Sequence, residues 1–287
     1  MGLLEIKMKQ LPVTYAGGRR NRSFASYVGL LWPILILLIG FWVPVFVWLL
    51  KASNPTTQTL IYSGDAFEKL MFNTTKVAAL TTISSLLLAY PLAILWWTSG
   101  KRVSTLIASV VFLPLLVGLL ARNYSWIGLL SSDTAFSSLG LSLIGAESLL
   151  YTVYSVILVM TYIFVPIAYF ILLNALDSIS TYEIEAAQTN GATGFEIVTR
   201  LVLPHTFRQA SIGGFLIFAN ALGYFVTPRM LGGGNYDMIG NLIWGYSNLG
   251  DFPVASSLAT TFLLWFSPFY LASFVLIVRS RKRIIGR

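Results

Sequence analysis

The sequence predicts an all-α, polytopic membrane protein with six transmembrane helices, and three observations carry that reading. Of the 287 residues, 56% are hydrophobic and 10% are charged, with a mean hydropathy of +0.76; a soluble domain carries about 25% charged residues. Six stretches are apolar over roughly the 20 residues that a helix needs to cross a bilayer. All the charged residues lie outside those stretches. The net charge of +8 in so apolar a chain sets topology rather than binding a phosphate polymer, so nucleic acid is not an expected partner. With no Cys and a single His, His205, disulfides, thiolate nucleophiles and Cys-built metal centres drop out, and little remains for a His-built one.

Taken in order, residues 1–26 are polar and basic and lack a secretory cleavage pattern, as expected of a cytoplasmic tail. The spans then fall at Tyr27–Leu50, Val77–Trp97, Val103–Leu120, Leu149–Leu173, Ala210–Val226 and Leu258–Val278. Pro33, Pro44, Pro91, Pro114, Pro166 and Pro268 lie inside them, where neighbouring helices re-satisfy the freed backbone and the prolines act as kinks. The fifth is shortest and carries Gly213, Gly214 and Gly223. Residues 73–278 thus form a five-helix core behind a first span at 27–50, followed by a basic end at 279–287.

Charge orients the bundle. Lys7, Lys9, Arg19, Arg20, Arg22, Lys101, Arg102, Arg200, Arg208 and the cations from Arg279 to Arg287 fall on one side, against Lys51, Lys69, Lys76, Arg122 and Arg229 on the other. The positive-inside rule places both termini in the cytoplasm, and Arg279–Arg283 beside anionic lipid headgroups. Proton relays and ion-coupled carriers keep titrating groups within the membrane. Charge-free spans therefore argue that any uphill transport draws its energy from elsewhere.

The loop at residues 174–209 is long for a simple helix connection, and its chemistry is organised. Ser180-Thr181-Tyr182-Glu183 and Thr193-Gly194-Phe195-Glu196 each fit a capping box. Asn190-Gly191 tolerates the left-handed conformation that ends a helix, and Pro204 is expected to stop the next helix. Two short helices are predicted, Thr181–Thr189 and Gly194–Val202, bent at Gly191, with Phe195, Val198 and Leu201 in one stripe facing the bundle. Glu185-Ala186-Ala187 offers a narrow surface with a carboxylate, suited to a groove on another protein.

Glu185-Ala186-Ala187, Gly191 and Leu201-Val202-Leu203-Pro204, in that spacing, resemble the EAA loop of ATP-binding-cassette (ABC) importer permeases. Leu201 stands where the family usually has Ile or Val, and Asn190 where it often has Leu. The likeness extends to Asn73–Ala79 and Tyr90-Pro91-Leu92-Ala93. Arg122, Tyr124 and Trp126, with residues 223–234 (GYFVTPRMLGGG), are similar to the polyamine (spermidine/putrescine) branch. Arg229 departs from the small residue common there, and a cation is unexpected at that point if the cargo is a polycation. The resemblance implies a type I ABC importer permease fold in the inner membrane of a bacterium. It implies a second, related permease subunit, two ATP-binding subunits that hold the ATP, and an extracytoplasmic solute-binding protein. No cofactor is expected on this chain, and no catalytic residue. Glu185, Ala186, Ala187, Gly191, Leu203 and Pro204 would couple to the ATPase.

At the outer face, Tyr124, Trp126, Tyr224, Phe225 and Trp244, with Asp133 and Asp237, are the candidates for the substrate path. Aromatic faces attract ammonium groups at about 0.5–2 kcal/mol each, which suits an amine cargo. Interfacial anchoring explains the same aromatics. The solute is expected to be polyamine-like, with an opine, an amino-acid derivative or an iron complex as alternatives. A membrane-embedded enzyme would need convergent His, Asp, Glu or Ser groups, and the spans hold no charged residue and no His; a stand-alone carrier would have no use for the EAA loop.

Overall fold

The structure, a computed structural model, describes residues 65–131 and 149–285, together with Leu35, Ile36, Ile39, Gly40, Val43, Phe46 and Val47 of the first apolar stretch. Two compact units are distinguished, Met1–Leu50 and Lys51–Arg287. In the first, the described positions are helical and exposed. Most of the first expected span, the whole N-terminal tail and Asp133 lie outside the described residues.

The second unit contains only helices among its described residues. They are α1 (Asp65–Thr98), α2 (Lys101–Leu116), α3 (Leu119–Leu130), α4 (Val153–Leu176), α5 (Thr181–Thr189), α6 (Gly194–Ile197), α7 (Leu203–Leu222), α8 (Val226–Leu231), α9 (Ile239–Asn248) and α10 (Phe252–Ile285). Among the described residues, three stretches, Phe67–Thr98, Val153–Leu176 and Phe252–Phe269, are long and apolar enough to cross a bilayer. Helices α2 and α3, bent by 104° at residues 117–118, make a broken span or a re-entrant loop.

The core is α1 packed on α4, with α7 against both. Apolar area drives little association between helices already in lipid, so close backbone approach does the work. Gly213 and Gly214 of α7 provide it: a Cβ on Gly213 would lie 2.9 Å from the Ile171 side chain, and one on Gly214 3.2 Å from Leu86. In α1, the Thr82 and Ser85 hydroxyls are satisfied within the helix, donating to the carbonyls of Ala78 and Thr81. Phe215 and Phe218 of α7 meet Phe269 of α10 at ring separations of 4.6 and 4.7 Å.

Two long-range contacts define the ends of the bundle. Tyr90 in α1 and Thr206 in α7 share a hydrogen bond of 3.1 Å between their hydroxyls. At the other end of α1, Thr74 Oγ1 accepts the Ile239 N–H at 3.0 Å. Helix α7 therefore runs antiparallel to α1, and its 20 residues separate the two ends by about 30 Å.

The expected span Val103–Leu120 is interrupted by the bend at residues 117–118, and two further expectations change. Pro204 does not stop a helix; it sits in the first turn of α7, and residues 194–222 run on through a π-helical turn at Val198–Val202. The ring of a proline clashes with the carbonyl four residues back and offers no N–H, and the wider turn accommodates it while Leu203 N–H bonds to Val198 O. The π turn also rephases the buried side. Ile197 and Val202, five residues apart, are buried, whereas Phe195 is 78% exposed instead of facing the bundle. The second change is Arg122, expected outside the bundle and found buried in α3. It donates from Nη1 to the Pro114 carbonyl at 2.9 Å, in the last turn of α2. There it meets carbonyls that the helix end leaves without partners.

Candidate functional site

The loop between α4 and α7 is built by local backbone chemistry. Helix α5 ends in a Schellman motif: Ala192 N–H bonds to Ala187 O at 3.0 Å and Gly191 N–H to Gln188 O at 2.9 Å. Gly191 has φ +80° and open space where a Cβ would stand, so backbone conformation rather than crowding demands glycine there. Thr193 and Glu196 form the expected capping box, with Thr193 N–H donating to Glu196 Oε2 at 3.0 Å and Glu196 N–H to Thr193 Oγ1 at 3.4 Å. Arg200 adds an exposed ion pair to Glu196 at 3.7 Å. The two bonds from Thr193, followed by the Arg200 charge, hold the Glu196 carboxyl below its ordinary value. The other expected box does not form, because Ser180 contributes its carbonyl to Glu183 N–H rather than its hydroxyl.

Glu185 and Ala186 are exposed, Ala187 is half-buried and packs on the core, Gly191 is exposed at the bend, and Leu203 and Pro204 are exposed at the start of α7. Beside them stand Tyr182 and Phe195, at 79% and 78% exposure, which sequence reasoning did not place in the site. Two large aromatic side chains in otherwise polar, capped helices were the available signal. Ala187, Gly191, Glu196, Ile197, Arg200 and Leu201 line a recess of about 410 Å³ at the bend. His205 lies 3.4 Å from the Ser178 hydroxyl, bridging the start of α7 to the end of α4.

The far end of α7 is organised by bonds between distant segments. Thr227 donates to Asn123 Oδ1 at 2.8 Å, tying α8 to α3. Asn241 Oδ1 accepts Met238 N–H, and its Nδ2 donates to the Phe225 carbonyl at 2.9 Å. Asn73 Nδ2 reaches the Asp237 carbonyl at 3.2 Å, and Ser155 donates to Leu231 O at 3.1 Å. Gly233, at φ +61°, lets the loop pass within contact of the Tyr151 ring.

These bonds draw Phe225, Asp237 and Trp244 together around Arg229. The Arg229 guanidinium lies 5.9 Å from the centre of the Trp244 ring, and its Nη1 is 3.4 Å from Asp237 Oδ2. Trp244 in turn stacks on Phe225 at 6.2 Å. Burial raises the Asp237 carboxyl above its ordinary value, with Arg229 pulling the other way. The remaining expected residues stay outside the cluster. Trp126 meets Tyr162 and Tyr224 meets Phe164, both edge-on against α4. Tyr124 is exposed on α3, and its ring makes no aromatic contact among the described residues. Arg229 itself was not expected to share a site with its neighbours; only its departure from the family pattern marked it.

No family model matches the chain. It is 24% identical over 253 residues to the spermidine/putrescine transport system permease protein PotB of Escherichia coli, covering 79% of this chain and 90% of the relative. The PotB of Salmonella typhimurium is 23% identical over 79% of this chain and 87% of its own length. The inner membrane ABC transporter permease protein YdcU of E. coli is 27% identical over 66% and 65%. In solved structures, a chain of a bacterial alginate ABC transporter superposes with a TM-score of 0.68 at 18% identity, covering 90% of this chain and 92% of that one. A chain of the MetNI methionine ABC transporter gives 0.57 at 16% identity, covering 76% and 98%. The protein has the fold of the ABC importer permeases and is similar in sequence to their spermidine/putrescine members.

Proposed function

We propose that this chain is one of two membrane subunits of an ATP-driven importer and that its α5–α6 loop is the docking element for a cytoplasmic ATPase. The observation that carries the reading is the exposed bend at Gly191, with Glu185, Ala186, Tyr182 and Phe195 outward and the following turn continuous with α7. A push on α6 passes without a break into α7, a helix of the core. Glu185 pairs with a basic residue of the ATPase, while Ala186 and Ala187 allow close approach and Leu203-Pro204 lead into the membrane. A second, related permease completes the path, two ATPase copies bind and hydrolyse ATP, and a solute-binding protein delivers cargo at the opposite face. Both termini lie in the cytoplasm, residues 73–278 form the core, and the protein sits in the inner membrane of a bacterium.

The cargo is a small organic amine, polyamine-like by analogy with the named relatives, entering past Tyr124, Trp126, Asp133, Tyr224, Phe225, Asp237 and Trp244. A second reading, an amino-acid derivative, is favoured by Arg229, which brings a cation to that same end. Coupling is tested in vesicles reconstituted with the complete transporter. Glu185→Ala and Gly191→Pro should lower uptake at least tenfold while membrane insertion is kept. Proline cannot adopt φ +80° or donate to Gln188 O, so undiminished uptake by Gly191→Pro would remove the docking role.

A further inference from the structure

We propose that Arg229 is a specificity-determining residue that receives a carboxylate, so that the cargo carries an acid beside its amine rather than amines alone. The inference rests on the reading of this chain as a permease whose 224–246 segment meets the cargo, and of the two cargo readings it selects the amino-acid derivative over the polyamine.

An indole face beside a carboxylate is the chemistry that holds an ammonium ion. Trp244 and Asp237 offer it, but the position between them is filled by the chain's own cation. The carboxylate is turned inward: Asp237 Oδ1 is buried without a hydrogen-bond partner, and its side chain is 29% exposed. The guanidinium is turned outward. The Arg229 side chain is 53% exposed and spends one N–H on Asp237 in a single long contact of 3.4 Å. Its other donors have no partner among the described residues, although the fork geometry of arginine favours two parallel bonds to a carboxylate. An arriving solute therefore meets unused cationic donors flanked by Trp244 and Phe225. A second ammonium would be repelled there unless Arg229 left both its partners, whereas a carboxylate completes the fork. With Asp237 behind it, the cluster is neutral overall, which suits a zwitterion and disfavours a polycation.

Ornithine and putrescine share a diamine skeleton and differ by one carboxylate, which makes them a matched pair of probes. Their affinities are measured calorimetrically on the assembled transporter in nanodiscs without its solute-binding protein, so that only the membrane path selects. Ornithine should bind at least tenfold more tightly than putrescine in the wild type, and Arg229→Ala should abolish or invert that order. Should Arg229→Ala fail to assemble, Asp237→Asn, which leaves the guanidinium unneutralised, should widen the ornithine preference. Equal affinities, tighter putrescine, absence of binding by both, or a preference indifferent to Arg229 would overturn the proposal. So would dissociation of the permease pair by Arg229→Ala with binding unchanged, which assigns the arginine to a subunit contact. The coupling reading is judged separately, because Gly191→Pro acts on uptake and leaves these affinities alone.

Discussion

Near the loop end of α7, Tyr182, Glu185, Ala186 and Phe195 face outward, and residues 180–200 are ordered by bonds between residues three to five positions apart. About 30 Å away, the segment around α8 and α9 buries Thr74, Asn123, Thr227 and Asn241, and its bonds to α1, α3 and α4 join residues 76 to 165 positions apart. One end is a self-contained structure offered to a partner; the other exists only because α1, α3 and α4 are already assembled around it. The loop can thus be altered without unfolding the bundle, whereas the buried polar bonds of the far segment cannot.

Breaking that contrast calls first for Thr227→Val. It removes the donor to a buried Asn123 carbonyl, and an unsatisfied buried acceptor costs about 1–3 kcal/mol. The thermal midpoint of the detergent-solubilised protein should fall, and Asn123→Leu added to it should recover part of the loss. Next comes Gly191→Ala, which forces a Cβ into φ +80° at about 1 kcal/mol. That loss should appear as faster amide exchange in residues 187–193, with the thermal midpoint unchanged. The smallest effect is the pH response of Glu196. Its folded pKa is lowered, so the capping box stabilises the loop above the ordinary carboxylate value of 4.5. That contribution is lost as pH falls through the lowered folded value. Protection of the 193–197 amides, corrected for intrinsic exchange, should decline below pH 4.5 in the wild type and stay flat in Glu196→Gln.

The same contrast separates what was readable from residues alone. The bounds 181–189, the start at Gly194, the left-handed Gly191 and the Thr193–Glu196 box come from side chains that act on their own neighbours, and they appear where expected. Ser180 kept its hydroxyl out of the cap because its carbonyl took Glu183 N–H instead, a choice between two local bonds that composition does not rank. The continuation past Pro204 escaped because a proline that ends an α-helix is tolerated when the turn before it widens. The phase shift of that turn sent Phe195 outward. Arg122 escaped because hydropathy scores a cation by its charge and ignores the helix-end carbonyl that receives it.

By itself, then, the amino-acid order determined a helical membrane chain with a capped, bent loop, since apolar run length and capping depend on residues a few positions apart. The tertiary structure decided that Arg229, Asp237, Trp244 and Phe225 share one site. Their convergence depends on Asn73, Thr74, Asn123 and Ser155, which reach that segment only when helices distant in sequence pack together.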